Sequence, residues 1–155
     1  MTEFLRHTLA TLAYRAGKAV RGIPPEFAGF RAGPKTRTPA EILAHMGDLM
    51  DWSLSLVEGR ERWHDSAPLA WDQEVARFFT ALAAFDQRLA GGAPPACSSE
   101  RLFQGPIADA LTHVGQIAVL RGMAGCAVRG ENYFRADITV GRVGAGQAAA
   151  VKEFG

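Results

Sequence analysis

The chain reads as an all-α protein, a four-helix bundle, on two grounds. Apolar residues recur at alternating steps of three and four in four separate segments, the mark of a helix with one buried stripe. Glycine and proline clusters fall between those segments and nowhere inside the first three. Helices of this kind bury their stripes against one another, and a bundle is the simplest way to do so. Residues 1–127 carry the bundle, and residues 128–155 form a glycine-rich C-terminal extension packing on the same domain.

In the first segment Leu5, Leu9, Leu12, Ala16 and Ala19 share a stripe, which predicts a helix near residues 2–20, ended by Gly22, Pro24 and Pro25. Gly29 to Thr38 holds glycines, a proline and basic residues, and reads as an exposed connection. The second helix has a sharp start, because Thr38-Pro39-Ala40-Glu41 is a capping box with proline at the first helical position. Its inward stripe is Ile42, His45, Leu49, Trp52 and Leu56, and Gly59 with the charged run Arg60-Glu61-Arg62 closes it. The third helix is the most regular: Trp71, Val75, Phe78, Leu82, Phe85 and Leu89 alternate without a gap from a start near Ser66–Pro68 to Gly91-Gly92. Gly105-Pro106 opens the fourth, which runs to about Gly125. It is apolar on most sides, through Ile107, Leu111, Val114, Ile117 and Ala118, and so is expected to be central. In the extension, Asp137 to Val140 reads as a short extended piece and Gln147 to Glu153 as a final short helix.

Composition excludes several functions. With 155 residues, 48% of them hydrophobic, the chain can bury roughly two thirds of its unfolded surface and needs no disulfides to fold. Seventeen basic and sixteen acidic side chains give a net charge of +1, which argues against nucleic-acid binding by broad electrostatics. No apolar run approaches the roughly 18 residues of a membrane span, and the N-terminus lacks a signal peptide's apolar stretch. A cytoplasmic protein is expected, with Cys97 and Cys126 reduced and serving as small apolar residues. The run Gly141-Arg142-Val143-Gly144-Ala145-Gly146-Gln147 has the glycines of a phosphate loop but not its lysine or its Ser/Thr, and is rejected as one.

Chemistry concentrates on the second and fourth helices. Asp109 and His113 are four apart and share a helix face, which continues through Gln116, Leu120 and Met123. His45 lies on the inward stripe of the second helix. Packed through these stripes, the helices bring two imidazoles and a carboxylate together in the bundle interior. That donor set suits Zn²⁺, Ni²⁺, Fe²⁺ or Mn²⁺ and leaves coordination positions open, as catalytic sites do. The plainer alternatives are a hydrogen-bonded core histidine at position 45 and, for Asp109, a negative charge in the first turn of a helix starting at Pro106. Gln116, one turn beyond His113, is a candidate to hold a water molecule or orient a ligand, or else a satisfied polar residue. Asp48 either receives an imidazole N–H or faces solvent. Trp52 reads as core rather than as a substrate contact, His64 as a solvated loop histidine or else a pocket acid or base, and His7 has no partner in reach.

The stretch Thr38-Pro39-Ala40-Glu41-Ile42-Leu43-Ala44-His45-Met46, followed by Asp109-Ala110-Leu111-Thr112-His113-Val114-Gly115-Gln116-Ile117, resembles the DinB/YfiT-like superfamily over residues 1 to about 127. The resemblance implies a four-helix bundle whose divalent metal is held by a histidine of helix two and a pair four apart on a later helix. His45 matches the first ligand, and His113, in a His-x-Gly-Gln-Ile setting, the last. Asp109 stands where many members have histidine and mycothiol-dependent relatives a carboxylate. Zinc or nickel is then the first expectation for the metal, iron or manganese the second. The implied activity is transfer of a low-molecular-weight thiol to an electrophile, or hydrolysis of a small substrate, with Gln116 as the catalytic candidate. The implied assembly is a homodimer. A metal-binding or stress-responsive protein without turnover is the alternative, and a helical interaction domain with two core histidines is the third reading.

Overall fold

A computed structural model describes residues 2–155. Its architecture is all-helical, with no strand among the described residues. Helix α1 spans Thr2–Val20, α2 Pro39–Val57 and α3 Trp71–Ala90. A short helix α4, Ser99–Leu102, runs through a π turn, Phe103–Ile107, into α5, Ala108–Met123. The backbone stays in the right-handed helical region across both junctions, so α4, the π turn and α5 form one rod. Helix α1 packs on α3 and α5, and α2 packs on α3 and α5, which closes a bundle around one apolar core.

The stripes read from spacing pack in or against that core, with Trp52, Leu56, Trp71 and Val75 only half-buried. Leu5, Leu9, Leu12, Ala16 and Ala19 are buried, as are Phe78, Leu82, Phe85 and Leu89. The capping box is complete: Thr38 accepts from the Glu41 amide, and the Glu41 carboxylate accepts from the Thr38 amide. A short 3₁₀ helix, Pro25–Gly29, sets Phe27 into the core against Phe30 and Trp71.

Four sequence expectations are corrected. The fourth rod starts at Ser99, not at Gly105-Pro106, with the Ser98 side chain accepting from the Arg101 amide. Pro106 therefore lies inside a helix. Its ring would clash with the carbonyl four residues back, and the wider π turn relieves this, with the Ala108 amide reaching back to Phe103. Helix α3 begins at Trp71 because residues 58–70 run as an irregular strap along α2 instead. Helix α5 is not central. Thr112, Gly115, Gln116, Val119, Gly122 and Met123 face outward, and two of these are glycines that expose little apolar area. In the extension neither the 137–140 strand nor the 147–153 helix forms.

What forms instead is an antiparallel bridge between Glu131 and Glu153, flanked by bonds from the Asn132 amide to the Lys152 carbonyl and from the Phe154 amide to the Gly130 carbonyl. Extended pairing aims both carboxylates at Lys18 of α1, 2.7 Å from Glu131 and 2.9 Å from Glu153, while the Tyr14 hydroxyl donates to Glu131. This buried knot ties the extension to α1. On the other side of α1, Arg121 of α5 donates to the Lys18, Ala19 and Arg21 carbonyls and satisfies that helix end.

Candidate metal centre

The capping box and the first turn of α2 fix the rotational setting of His45, and the rod through the π turn fixes that of Asp109 and His113. The structure brings the three together. His45 Nε2 lies 3.4 Å from one Asp109 oxygen, and His113 Nε2 lies 3.4 Å from the other. The imidazole rings stand edge to face with centroids 4.9 Å apart. All three offered ligand atoms fall within 4.8 Å of one another.

These separations fit an ion. A tetrahedral cation bound at about 2.0–2.1 Å spaces its ligand atoms about 3.3 Å apart. Each N···O distance is close to that edge, His45 to one oxygen of the carboxylate and His113 to the other, and both are long for direct hydrogen bonds. His113 also presents the correct nitrogen. His113 Nδ1 lies 2.7 Å from Gln116 Oε1, so Nδ1 donates and the Nε2 lone pair faces the centre. Gln116 thus sits one turn beyond His113 as a partner that sets its tautomer and ring orientation.

One expectation about the centre changes. Asp109 is not a buried carboxylate: its side chain is 46% exposed, against 20% for His45 and 10% for His113. The cost of burying a charge therefore does not explain its position. It is not at a helix start either, because the rod begins at Ser99. Asp109 forms the solvent-facing lip of a centre at the bundle's edge, where water and small molecules have access.

An aromatic wall missed in the sequence borders this centre. Trp63, in the strap, meets the His45 ring edge to face at 5.6 Å, and Trp52 meets Trp63 at 5.8 Å. Trp52 is accordingly half-buried, and its indole N–H donates to Glu61. The strap is fastened from below. Asp48, buried beneath it, accepts from the Ser66 amide and hydroxyl and from Arg77, with His64 Nε2 at 3.0 Å. Arg77 also donates to Glu74 and to the Ala44 carbonyl. Asp48 thus neither faces solvent nor serves His45. The only sequence signal for this network was a set of polar residues at inward positions of α2 and α3.

Asp48, Asp51 and His64 form a second cluster able to hold an ion by distance alone. Arg77 already stands there, bonded to Asp48 and 3.4 Å from Asp51, so a cation has its place taken. His7 is exposed, and Cys97 and Cys126 are free thiols. Burial pushes the Cys97 thiol up, against the needs of a nucleophile.

A groove of about 480 Å³ lies beside the centre, lined by His113 and Gln116 together with the apolar Ile42, Val119, Leu120 and Met123. Compared with known proteins, the chain matches no family model, no curated protein and no solved structure. No helix is long and apolar enough to cross a membrane.

Proposed function

We propose that the protein is a metal-dependent enzyme of the DinB/YfiT-like type, acting on a small molecule at an open divalent site held by His45, Asp109 and His113. The observation that carries this reading is the meeting of two imidazoles and a carboxylate, from distant parts of the chain, with one ligand atom of each within 4.8 Å of the others. Three protein ligands leave room for a substrate or water in the remaining positions. A divalent cation there supplies Lewis acidity, lowering the pKa of a thiol or water molecule that it binds. Zinc or nickel suits the two imidazoles best, with iron or manganese next.

The chain's own residues do the rest. Gln116 holds the His113 ring in one tautomer and is a positioning residue for that ligand. Trp63 packs on His45 and shields it from water on the strap side. Asp109 offsets part of the cation's charge while leaving the lip open. Two reactions fit: transfer of a low-molecular-weight thiol to an electrophile, and hydrolysis of a small substrate. A metal-binding protein without turnover would need the three ligands but not the groove. The groove's opening at His113 and Gln116 is what favours catalysis. A homodimer, by the same resemblance, and a cytoplasmic location complete the proposal.

The test is a screen of metal-loaded protein with thiols, electrophiles and simple esters or amides. Activity that chelation removes and one divalent metal restores supports the enzyme. Silence across all acceptors, with metal bound, favours the protein without turnover.

A further inference from the structure

The groove beside His113 joins an apolar wall to a basic loop. Its long wall is apolar, and two of its members, Val119 and Met123, are 64% and 57% exposed, large apolar side chains left facing water on α5. Facing them is the basic connection between α1 and α2, which contributes Ala32, Thr36 and Arg37 to the lining. The cations of that connection are not equivalent. Arg31 is occupied, donating to the Thr36 carbonyl and lying 3.5 Å from Glu41. Arg37 lines the groove and has no ion-pair partner among the described residues. No acidic side chain lines the groove at all. An occupant therefore meets an apolar wall, one unpaired guanidinium and, through His113, one ligand of the adjoining candidate metal centre.

We infer that this groove binds an amphipathic organic anion, with a carboxylate against Arg37, an apolar body along Ile42, Val119 and Met123, and its far, reacting end at the His45–Asp109–His113 centre. This names the substrate class and rests on the catalytic reading of that centre. The arrangement has a chemical reason. A carboxylate is itself a metal ligand, and Arg37 gives it a competing place away from the cation. The polar end is then held while the other end is presented to the reacting position. The volume suits a ligand of drug-like size or smaller.

The test is an amide ¹H–¹⁵N NMR titration of metal-free protein with octanoate and with 1-octanol, in the parent, Arg37→Gln and Val119→Asp. Arg37 and Val119 are both exposed, so neither variant threatens the fold. Octanoate is expected to shift the amides of Gln116, Val119 and Met123. Arg37→Gln should weaken octanoate by about two- to fivefold, the weight of one exposed ion pair, and leave 1-octanol unchanged. Val119→Asp should abolish octanoate binding. Octanoate binding as tightly without Arg37, shifts confined to other faces, or 1-octanol binding as tightly as octanoate would each overturn the inference. Repeating the titration with Zn²⁺ bound checks the orientation, because a tightening that no longer depends on Arg37 would put the carboxylate on the metal and overturn it. The metal-free titration reads no metal, so its failure is distinguishable from failure of the catalytic reading.

Discussion

Replacing Arg77 by methionine removes a charge and keeps most of the stem. In the native state that guanidinium serves two buried carboxylates, Asp48 with a side chain 3% exposed and Glu74 with none exposed. Breaking a buried pair by deleting one partner costs about 3–5 kcal/mol, because the remaining charge is left uncompensated. Here the low end applies. Asp48 keeps two bonds from Ser66, and Glu74 keeps the Leu69 amide. We expect a loss of about 3 kcal/mol, which for a chain of this length lowers Tm by about 6–12 °C. Urea unfolding followed by helical circular dichroism measures it. The pH dependence supplies a second check. Burial alone would raise the Asp48 pKa, but the hydrogen bonds from Ser66 and Arg77 outweigh it and hold the carboxyl below its usual range. A group with a depressed folded pKa contributes stability that is complete above its unfolded value, about 3.9, and is lost as pH falls through the folded value. The difference between parent and Arg77→Met should therefore be full at neutral pH and shrink below about pH 4. A loss under about 1 kcal/mol at neutral pH would show that Arg77 does not hold the strap.

Gln116→Ala frees the His113 Nδ1 proton from its acceptor, and metal affinity measured by competition with a chelator should fall by about 10- to 100-fold with helix content unchanged. Burial, followed by the hydrogen bond to Glu131, raises the Tyr14 pKa far above that of a free phenol. Tyr14→Phe should consequently show the same phenolate absorbance as the parent up to about pH 11, and a smaller rise in Tyr14→Phe within that range would contradict the buried knot. Metal binding should quench tryptophan fluorescence when the ion is Ni²⁺, because the Trp63 ring lies 5.6 Å from the His45 ring; Trp63→Phe should lose most of that response.

Much of this was readable from residue spacing because it is local. A capping box needs four consecutive residues, and an i, i+4 pair shares a helix face whatever surrounds it. Thr38 to Glu41 and Asp109 to His113 are both of this kind. His45 met that pair because α2 packs on α5 as well as on α3. The strap was not readable. Its order comes from Asp48, Ser66, His64 and Arg77, which are far apart in sequence and polar, so no apolar period announces them. Pro106 misled because proline is most at home at a helix start, and only the π turn makes an interior place for it. The extension was misread because a pair of carboxylates chosen by Lys18 sets its path, and a helix over 147–153 would pull Glu153 away. The apolar sides of α5 suggested a central helix, yet the sequence does not say which side a neighbour covers.

Elemental analysis of protein purified without an affinity tag addresses the central claim most directly. About one divalent ion per chain is expected in the parent, and none in His113→Ala at the same helix content. A parent free of stoichiometric metal, or a His113→Ala variant that retains its full complement, would contradict the assignment of His45, Asp109 and His113 as a metal centre.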